Sequence, residues 1–425
     1  MNLDEMVNYA RQHSPFYRQH YAHLAPSTYS LDLLPVLEEA QYWAGNEALD
    51  TWPVLTGPAE DALVYKTGGS TSRGKLAVFS RQEWQQMFTL FGQRITQQLA
   101  PGDRVANLFF AGDLYASFLL VHEALAHVQV TVREFPFSGA VDFATLDQAV
   151  EQHHINVLAS VPAQLLRYAA HVLEAQRAVP QVSTLLYAGE SLFADQLRTL
   201  QRAFPNARIA SIGYACVDAG LIGFSARDCV LGEHRVFDEQ VRVQIVDEQT
   251  HDTIEDCDRP GLLVVTNLNR TLMPLLRYPV GDRACWREPP GPQRKFALLG
   301  RSAQSQRVHI GVRSLFMSQL DEVLLRLAGT SQWQLRVERF GSLDRFILNW
   351  VPEAADSTAR PVEQALWEEL VGSDRELLQL IDDGQLQFEV RACKASQLSL
   401  HPRSGKLRRI IDLRDYGGQC RERQP

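Results

Sequence analysis

The sequence predicts an α/β protein in two parts. A large N-terminal unit, residues 1–300, carries a mainly parallel sheet between helices plus a small β subdomain; a smaller α+β unit follows, residues 301–425. Three observations predict this. From about residue 103 to 225, apolar strands alternate with longer helices, the pattern of a parallel sheet covered on both faces. Residues 241–285 change to strand after strand with Pro and Gly at the turns, which reads as antiparallel sheet. After Gly300-Arg301 the order becomes helix, hairpin, helix, strand, a small α+β pattern.

Taken in order, "ALVYKT" and "KLAVFS" read as strands joined by a glycine-rich loop. Ser80 with Glu83 makes a capping box, and Trp84, Phe88, Phe91, Ile95 and Leu99 form an apolar stripe at helical spacing. Then "RVANLFF" precedes the helical "LYASFLLVHEALAHV", "NVLASVP" precedes "AQLLRYAAHVLEAQ", and "STLLYAGE" precedes "FADQLRTLQRAF", with "RIASIGYA" as the next strand. Ligands of such sheets gather at the carboxyl ends of the strands. The unusual sequences stand at those ends: Ser160-Val161-Pro162, Ala188-Gly189-Glu190 and 213–218. Further on, "VRVQIVD", "GLLVVTN" and "PLLRYPVGDRACW" read as antiparallel strands. The last part gives a helix, "FMSQLDEVLLRLAG", a hairpin, "WQLRVERF" with "RFILNWV", one helix near 361–381 and a strand, "LQFEVRAC".

The bulk numbers exclude several classes. A net charge of −8 without a strong basic run argues against nucleic acid as a partner. No apolar run approaches the ~20 residues that cross a membrane, and "MNLDEMVNYARQ" lacks an apolar signal core. Six scattered cysteines with no CxxC pair suggest reduced thiols and a cytoplasmic location. Cys229 and His234 are half of a zinc set without a second pair, and His153-His154 end a polar helix.

The stretch "TGGSTSRGK" contains G-x-x-x-x-G-K from Gly69 to Lys75, the opening of a P-loop. A P-loop needs Ser or Thr after the lysine and a helix starting there; Leu76 and a strand follow instead. A plain Gly/Ser hairpin is the bland alternative, yet the loop's small residues, hydroxyls and basic groups suit an anion.

Taken together, seven motifs in order resemble the adenylate-forming (acyl- or aryl-AMP) ligase superfamily, nearest its phenylacetate–coenzyme A ligase branch. "YARQHSPFYRQHYAHL" resembles that branch's opening, "TGGSTSRGK" the phosphate loop, "YAGESL" the segment against adenine, and "GYACVDAG" the Tyr-Gly-x-Thr-Glu motif. "TLMPLLRYPVGDRA" is similar to the Met-Pro-(Leu/Ile)-Ile-Arg-Tyr-x-x-x-Asp run, "GRSAQSQRVHIGV" occupies the hinge, and "HPRSGKLRRIID" resembles the terminal Ser-Gly-Lys motif. The matches run from residue 9 to 412. The resemblance implies an adenylate-forming domain at 1–300 and a mobile C-terminal domain at 301–425 that carries the catalytic lysine.

It also implies ATP and Mg2+ as cofactors, a small carboxylic acid as substrate, and coenzyme A or the phosphopantetheine of an acyl or aryl carrier protein as acceptor. Thr67, Gly68, Gly69, Ser70, Thr71 and Lys75 would hold phosphates, by backbone N–H groups, hydroxyls and charge. Ala188, Gly189 and Glu190 would pass by the base, Tyr214 would stack on it, Asp282 would take the ribose hydroxyls, and Arg301 would contact ribose or phosphate. By the resemblance, Lys406 and Asp218 are the catalytic candidates: Lys406 would bridge carboxylate and α-phosphate, and Asp218 would bind Mg2+. Tyr115, Phe118, Ser160 and Pro162 would line a flat apolar acid pocket, which suggests an aryl or short apolar acid.

Bland readings stand beside these. Lys406 also fits a surface cluster with Arg403, Arg408 and Arg409, Asp282 an Asx turn after Gly281, and Lys75 a solvated loop cation. Three positions depart from the family pattern: Asp218 replaces Glu, Ala215 replaces Gly, and the hinge has uncharged Ala303-Gln304 where an acidic residue is usual. The altered hinge and the Asp218 substitution motivate the alternative of a nucleotide- or acyl-adenylate-binding protein with impaired or no thiol transfer.

Overall fold

A computed structural model describes residues 1–25, 29–66, 75–301, 307–310, 313–340, 343–352, 359–372, 374–402 and 404–414. By packing, the chain divides into two units. One comprises Met1–Leu192, Leu200–Ser305 and Pro402–Lys406; the other comprises Phe193–Thr199, Gln306–His401 and Leu407–Pro425. The division passes through the helix Ala194–Ala203.

In the larger unit a five-stranded sheet runs in the order Arg133–Pro136, Arg104–Asn107, Val157–Ser160, Thr184–Tyr187, Arg208–Ser211, every pair parallel. The two central strands are buried at every residue, as helices on both faces require. The chain reverses its direction of advance at Arg104–Asn107, between Arg133–Pro136 and Val157–Ser160. That switch puts 108–110 and 160–162 side by side at the carboxyl ends, where open α/β sheets bind ligands. Strand Arg133–Pro136 has no clear sequence signal, being short and exposed at Arg133 and Pro136.

A second sheet has seven antiparallel strands, ordered Val241–Val246, Gly261–Asn267, Leu275–Trp286, Lys295–Arg301, Glu233–Val236, Gly220–Phe224, Gly213–Cys216. "RIASIGYA" is therefore not one strand: it splits at Ile212, with Arg208–Ser211 in the parallel sheet and Gly213–Cys216 in the antiparallel one. The Ser211 hydroxyl accepts from Gly213 N at 3.1 Å and fixes the corner.

The N-terminal helices Leu3–His13 and Pro15–His20 lie on this unit. Tyr17 and Tyr42, both fully buried, donate to the same Pro274 carbonyl at 2.8 and 2.9 Å. "PFYR" and "MPLLRYP", read separately in the sequence, thus meet through one carbonyl oxygen.

In the smaller unit four strands run Leu386–Ala392, Leu343–Trp350, Trp333–Phe340, Ile410–Asp412, against the helices Met317–Ala328, Ala359–Trp367 and Arg375–Asp382. Trp333, Leu335, Phe346, Leu348 and Trp350 form its core. The single helix expected near 361–381 is two helices separated by a π turn, Glu368–Gly372, where glycine weakens the helical run.

Candidate active site

Ala62–Lys66 pairs antiparallel with Leu76–Ser80, Lys66 opposite Leu76, so a strand follows Lys75 as a P-loop does not allow. Thr67, Gly68, Gly69, Ser70 and Thr71 lie outside the described residues. The capping box forms at the end of the second strand: Ser80 N donates to Glu83 at 2.8 Å, and Glu83 N to Ser80 Oγ at 3.2 Å. Glu83 does more than cap. Its other carboxylate oxygen accepts from Thr271 N, Thr271 Oγ1 and Leu272 N at 2.5–2.8 Å, holding the start of the Met-Pro segment to this helix.

Lys75 is not merely solvated. Its Nζ lies 3.3 Å from Glu39 Oε1, 3.4 Å from the Tyr278 hydroxyl and 5.2 Å from the centre of the Trp43 ring. Tyr278 donates at 2.6 Å to Asp218 Oδ2 and accepts from Trp43 Nε1 at 3.2 Å. Burial, with Asp218 and Glu39 nearby, raises the Tyr278 pKa well above its ordinary value, so the phenol stays a donor. Beneath it Arg270, 1% exposed, donates to the carbonyls of Asp218 and Val78 at 2.7 Å each and lies 3.6 Å over the Phe79 ring. A buried guanidinium held this way fixes the backbone on which Asp218 stands.

Tyr214 and Asp282 also meet, the phenol donating to Asp282 Oδ2. Tyr214 packs near His234 and Phe296, with ring centres 5.8 and 6.1 Å away. Asp282 pairs across the sheet with Arg301. Both residues stand at register shifts, Tyr214/Ala215 and Asp282/Ala284. Such bulges re-aim side chains out of the pleat.

At the ends of the parallel strands, Glu190 Oε2 accepts from Ala163 N at 3.3 Å. Helix Pro162–Glu174 has no side-chain cap of its own at Val161, so Glu190 places a carboxylate at the positive helix end. Gly189 has φ +88°, and a Cβ built on it would lie 3.0 Å from Lys406 Cε and 3.6 Å from Lys406 Nζ. Glycine thus lets the Lys406 side chain reach this segment. Gly405, at φ +66°, lies under the Phe110 ring; a Cβ there would fall 1.9 Å from Cε2.

The acid-pocket residues fare unevenly. Ser160 is fully buried and donates to Leu108 O at 2.9 Å, a bond that ties the carboxyl end of Val157–Ser160 to that of Arg104–Asn107, so its hydroxyl is turned inward. Pro162 is the first residue of its helix, a position that needs no N–H. Tyr115 is not on a helix: Asp113 and Leu114 both have positive φ, Tyr115 N donates to Gly112 O at 2.9 Å, and the helix begins at Ser117. Phe118, on that helix, is half-buried against the core.

Among the described residues no group of three or more His, Cys, Asp or Glu sits close enough to hold a metal ion. His234 Nε2 faces Ser211 Oγ at 3.1 Å, and burial lowers its pKa to about 4. Asp218, the expected Mg2+ ligand, offers the hard oxygen donors that suit Mg2+, whose remaining ligands are commonly phosphates and waters. It is 8% exposed, and among the described residues Oδ2 accepts from the Tyr278 hydroxyl and Oδ1 from Ala219 N.

Residues 19–271 match the family described as AMP-binding enzyme. The chain belongs to that family. As an AMP-binding enzyme it is 23% identical over 97% of its length to a phenylacetate–coenzyme A ligase of Thermus thermophilus, covering 95% of that protein. It is 26% identical over 44% of its length to an indoleacetate–lysine synthetase of Pseudomonas savastanoi, covering 43% of it. Among solved structures, a 2-hydroxyisobutyryl-CoA ligase in complex with 2-HIB-AMP superposes with a TM-score of 0.71 at 19% identity, over 96% of this chain and 88% of that one. An acyl acid amido synthetase superposes with a TM-score of 0.67 at 10% identity, over 96% and 90%. The fold is that of adenylate-forming enzymes.

Sequence reasoning missed Glu39, Trp43, Glu83 and Arg270 in the site. Their contacts to Tyr278, Thr271 and Asp218 span 52 to 239 positions of chain, and no local pattern carries them.

Proposed function

We propose that this chain activates a small, aryl-type carboxylic acid with ATP as acyl-AMP, releasing pyrophosphate, and then transfers the acyl group to a thiol in the cytoplasm. Coenzyme A is the acceptor favoured by the relatives' names; a carrier protein's phosphopantetheine is the other. The observation that carries this reading is Lys406 lying against the Gly189 segment in the unit that also contains the Tyr214–Asp282 pair.

The substrate carboxylate attacks the α-phosphorus and pyrophosphate leaves. Both reactants are anions, so the chain's work is neutralisation and positioning. Lys406 Nζ bridges the attacking carboxylate and the α-phosphate, and its reach past Gly189 supports that role. Lys75 and the loop 67–71 take the β- and γ-phosphates. Asp282 accepts from the ribose, the Ala188–Glu190 backbone passes the base, and Tyr214 braces Asp282 and flanks the base. Arg301 adds charge from the hinge, and Asp218 would hold Mg2+, which would neutralise phosphate charge. Tyr115, Phe118 and Pro162 shape the acid pocket. In the second step the thiol attacks the acyl carbonyl and AMP leaves; residues 301–425, carrying Lys406, move about the hinge between the steps.

ATP–pyrophosphate exchange over aryl, heteroaryl and short aliphatic acids, with Lys406→Ala as control, tests the reading. Exchange with one acid class, lost in the variant, supports it. No exchange with any acid, while ATP still raises the melting temperature, leaves a binding protein instead.

A further inference from the structure

We propose that Tyr278 is a positioning residue that joins the phosphate-loop lysine to the metal-binding carboxylate, with Glu39 holding Lys75 in the place a phosphate takes. The proposal rests on the function proposed above. One phenol oxygen has four polar neighbours: Asp218 Oδ2 at 2.6 Å, Trp43 Nε1 at 3.2 Å, Lys75 Nζ at 3.4 Å and Glu39 Oε1 at 3.4 Å. The single phenolic proton goes to Asp218, the shortest contact and a charged acceptor, while the indole N–H and the ammonium point at the oxygen's lone pairs.

This arrangement settles two geometries at once. Asp218 has one methylene fewer than the glutamate usual at this motif and so a shorter reach. The phenol, fixed in the core by its ring and by Trp43, holds one oxygen and leaves the carboxylate a single orientation. Lys75 has its ammonium between Glu39 and the Trp43 face, and Glu39 is half-exposed, so an entering polyphosphate meets a cation already desolvated on one side. The phosphate displaces Glu39, whereas Tyr278 and Trp43 stay. Anion exchange on Lys75 and cation capture on Asp218 thereby share one fixed oxygen.

The test measures ATP-induced thermal stabilisation of the full chain against Mg2+ concentration, and ATP binding without metal by calorimetry. Tyr278→Phe keeps the ring and removes the hydroxyl; the Mg2+ midpoint is expected to rise roughly tenfold, as the loss of a hydrogen bond to a charged group entails, while metal-free ATP binding changes less. Glu39→Gln, at a half-exposed position that folds whatever the fate of the phenylalanine variant, is expected to tighten metal-free ATP binding roughly threefold, a change within the range of one exposed ion pair, without moving the Mg2+ midpoint. An unchanged midpoint in Tyr278→Phe, or a lower melting temperature alone, overturns the positioning role. Unchanged metal-free binding in Glu39→Gln overturns the exchange on Lys75. No ATP-induced shift in the wild-type chain removes the nucleotide reading itself and this proposal with it.

Discussion

The two sheets of the larger unit divide the work unequally. The parallel sheet pairs in unbroken register, and its candidate positions give backbone and packing: Gly189 clears a path, Pro162 starts a helix, and Ser160 ties strand ends. The antiparallel sheet has register shifts at Tyr214/Ala215, Leu262/Val264, Val265/Asn267 and Asp282/Ala284. Its irregular strands carry the polar side chains Tyr214, Tyr278 and Asp282, with Asp218 just beyond strand Gly213–Cys216. Regular pairing makes a floor, and irregular pairing aims functional groups. The difference teaches that side-chain chemistry here is bought with register.

Substitutions break or sharpen that contrast. Lys406→Ala is expected to have the largest effect, lowering pyrophosphate exchange at least ~100-fold with ATP-induced stabilisation retained. Gly405→Ala sets a Cβ into the Phe110 ring and a non-glycine residue at positive φ. Exchange is expected to fall roughly tenfold, and Phe110→Ala in the same chain recovers part of it, the non-additivity of groups in contact. Tyr214→Phe removes the donor to Asp282 and raises the KM for ATP about fivefold, close to the ~1 kcal/mol of one hydrogen bond. Ser160→Ala leaves the buried Leu108 carbonyl without that donor and costs about 1–2 kcal/mol of stability in denaturant unfolding, with the KM for the acid unchanged. A changed acid KM there makes Ser160 a pocket residue after all.

The smallest effect follows pH. The folded His234 ring titrates near pH 4, below the ordinary 6.5, because burial favours its neutral form. Its contribution to stability is complete above pH 6.5 and drains away as pH falls from 6.5 towards 4. Melting temperature is expected to fall more steeply over that window in the wild type than in His234→Gln.

Much of the fold was legible because its signals are local. The strand–helix alternation, the Ser80 capping box and the buried stripe from Trp84 to Leu99 depend on residues a few positions apart. "RIASIGYA" misled because its corner at Ile212-Gly213 carries a single glycine, a signal that also occurs inside continuous strands, so nothing local says that the strand changes sheet. Tyr115 misled because Asp113 and Leu114 adopt positive φ where nothing in "GDLYAS" demands it. In the site, Tyr278 stood inside a quoted motif without a role, and its partners Glu39 and Trp43 lie more than two hundred positions upstream. Motifs name residues, whereas a hydrogen-bond hub exists only once distant segments have packed.

The shared Pro274 carbonyl sets a timetable for synthesis. Tyr17 and Tyr42 reach it across 257 and 232 positions. At ~5–20 residues per second, roughly 13–50 s pass between the emergence of Tyr17 and that of its acceptor. Through that interval the aromatic group of Phe16, Tyr17, Tyr42, Trp43 and Trp52 lacks the strand that covers it. Residues 16–52 therefore cannot complete their packing until the Met-Pro segment has left the ribosome, and the aromatic surface they carry stays uncovered until then.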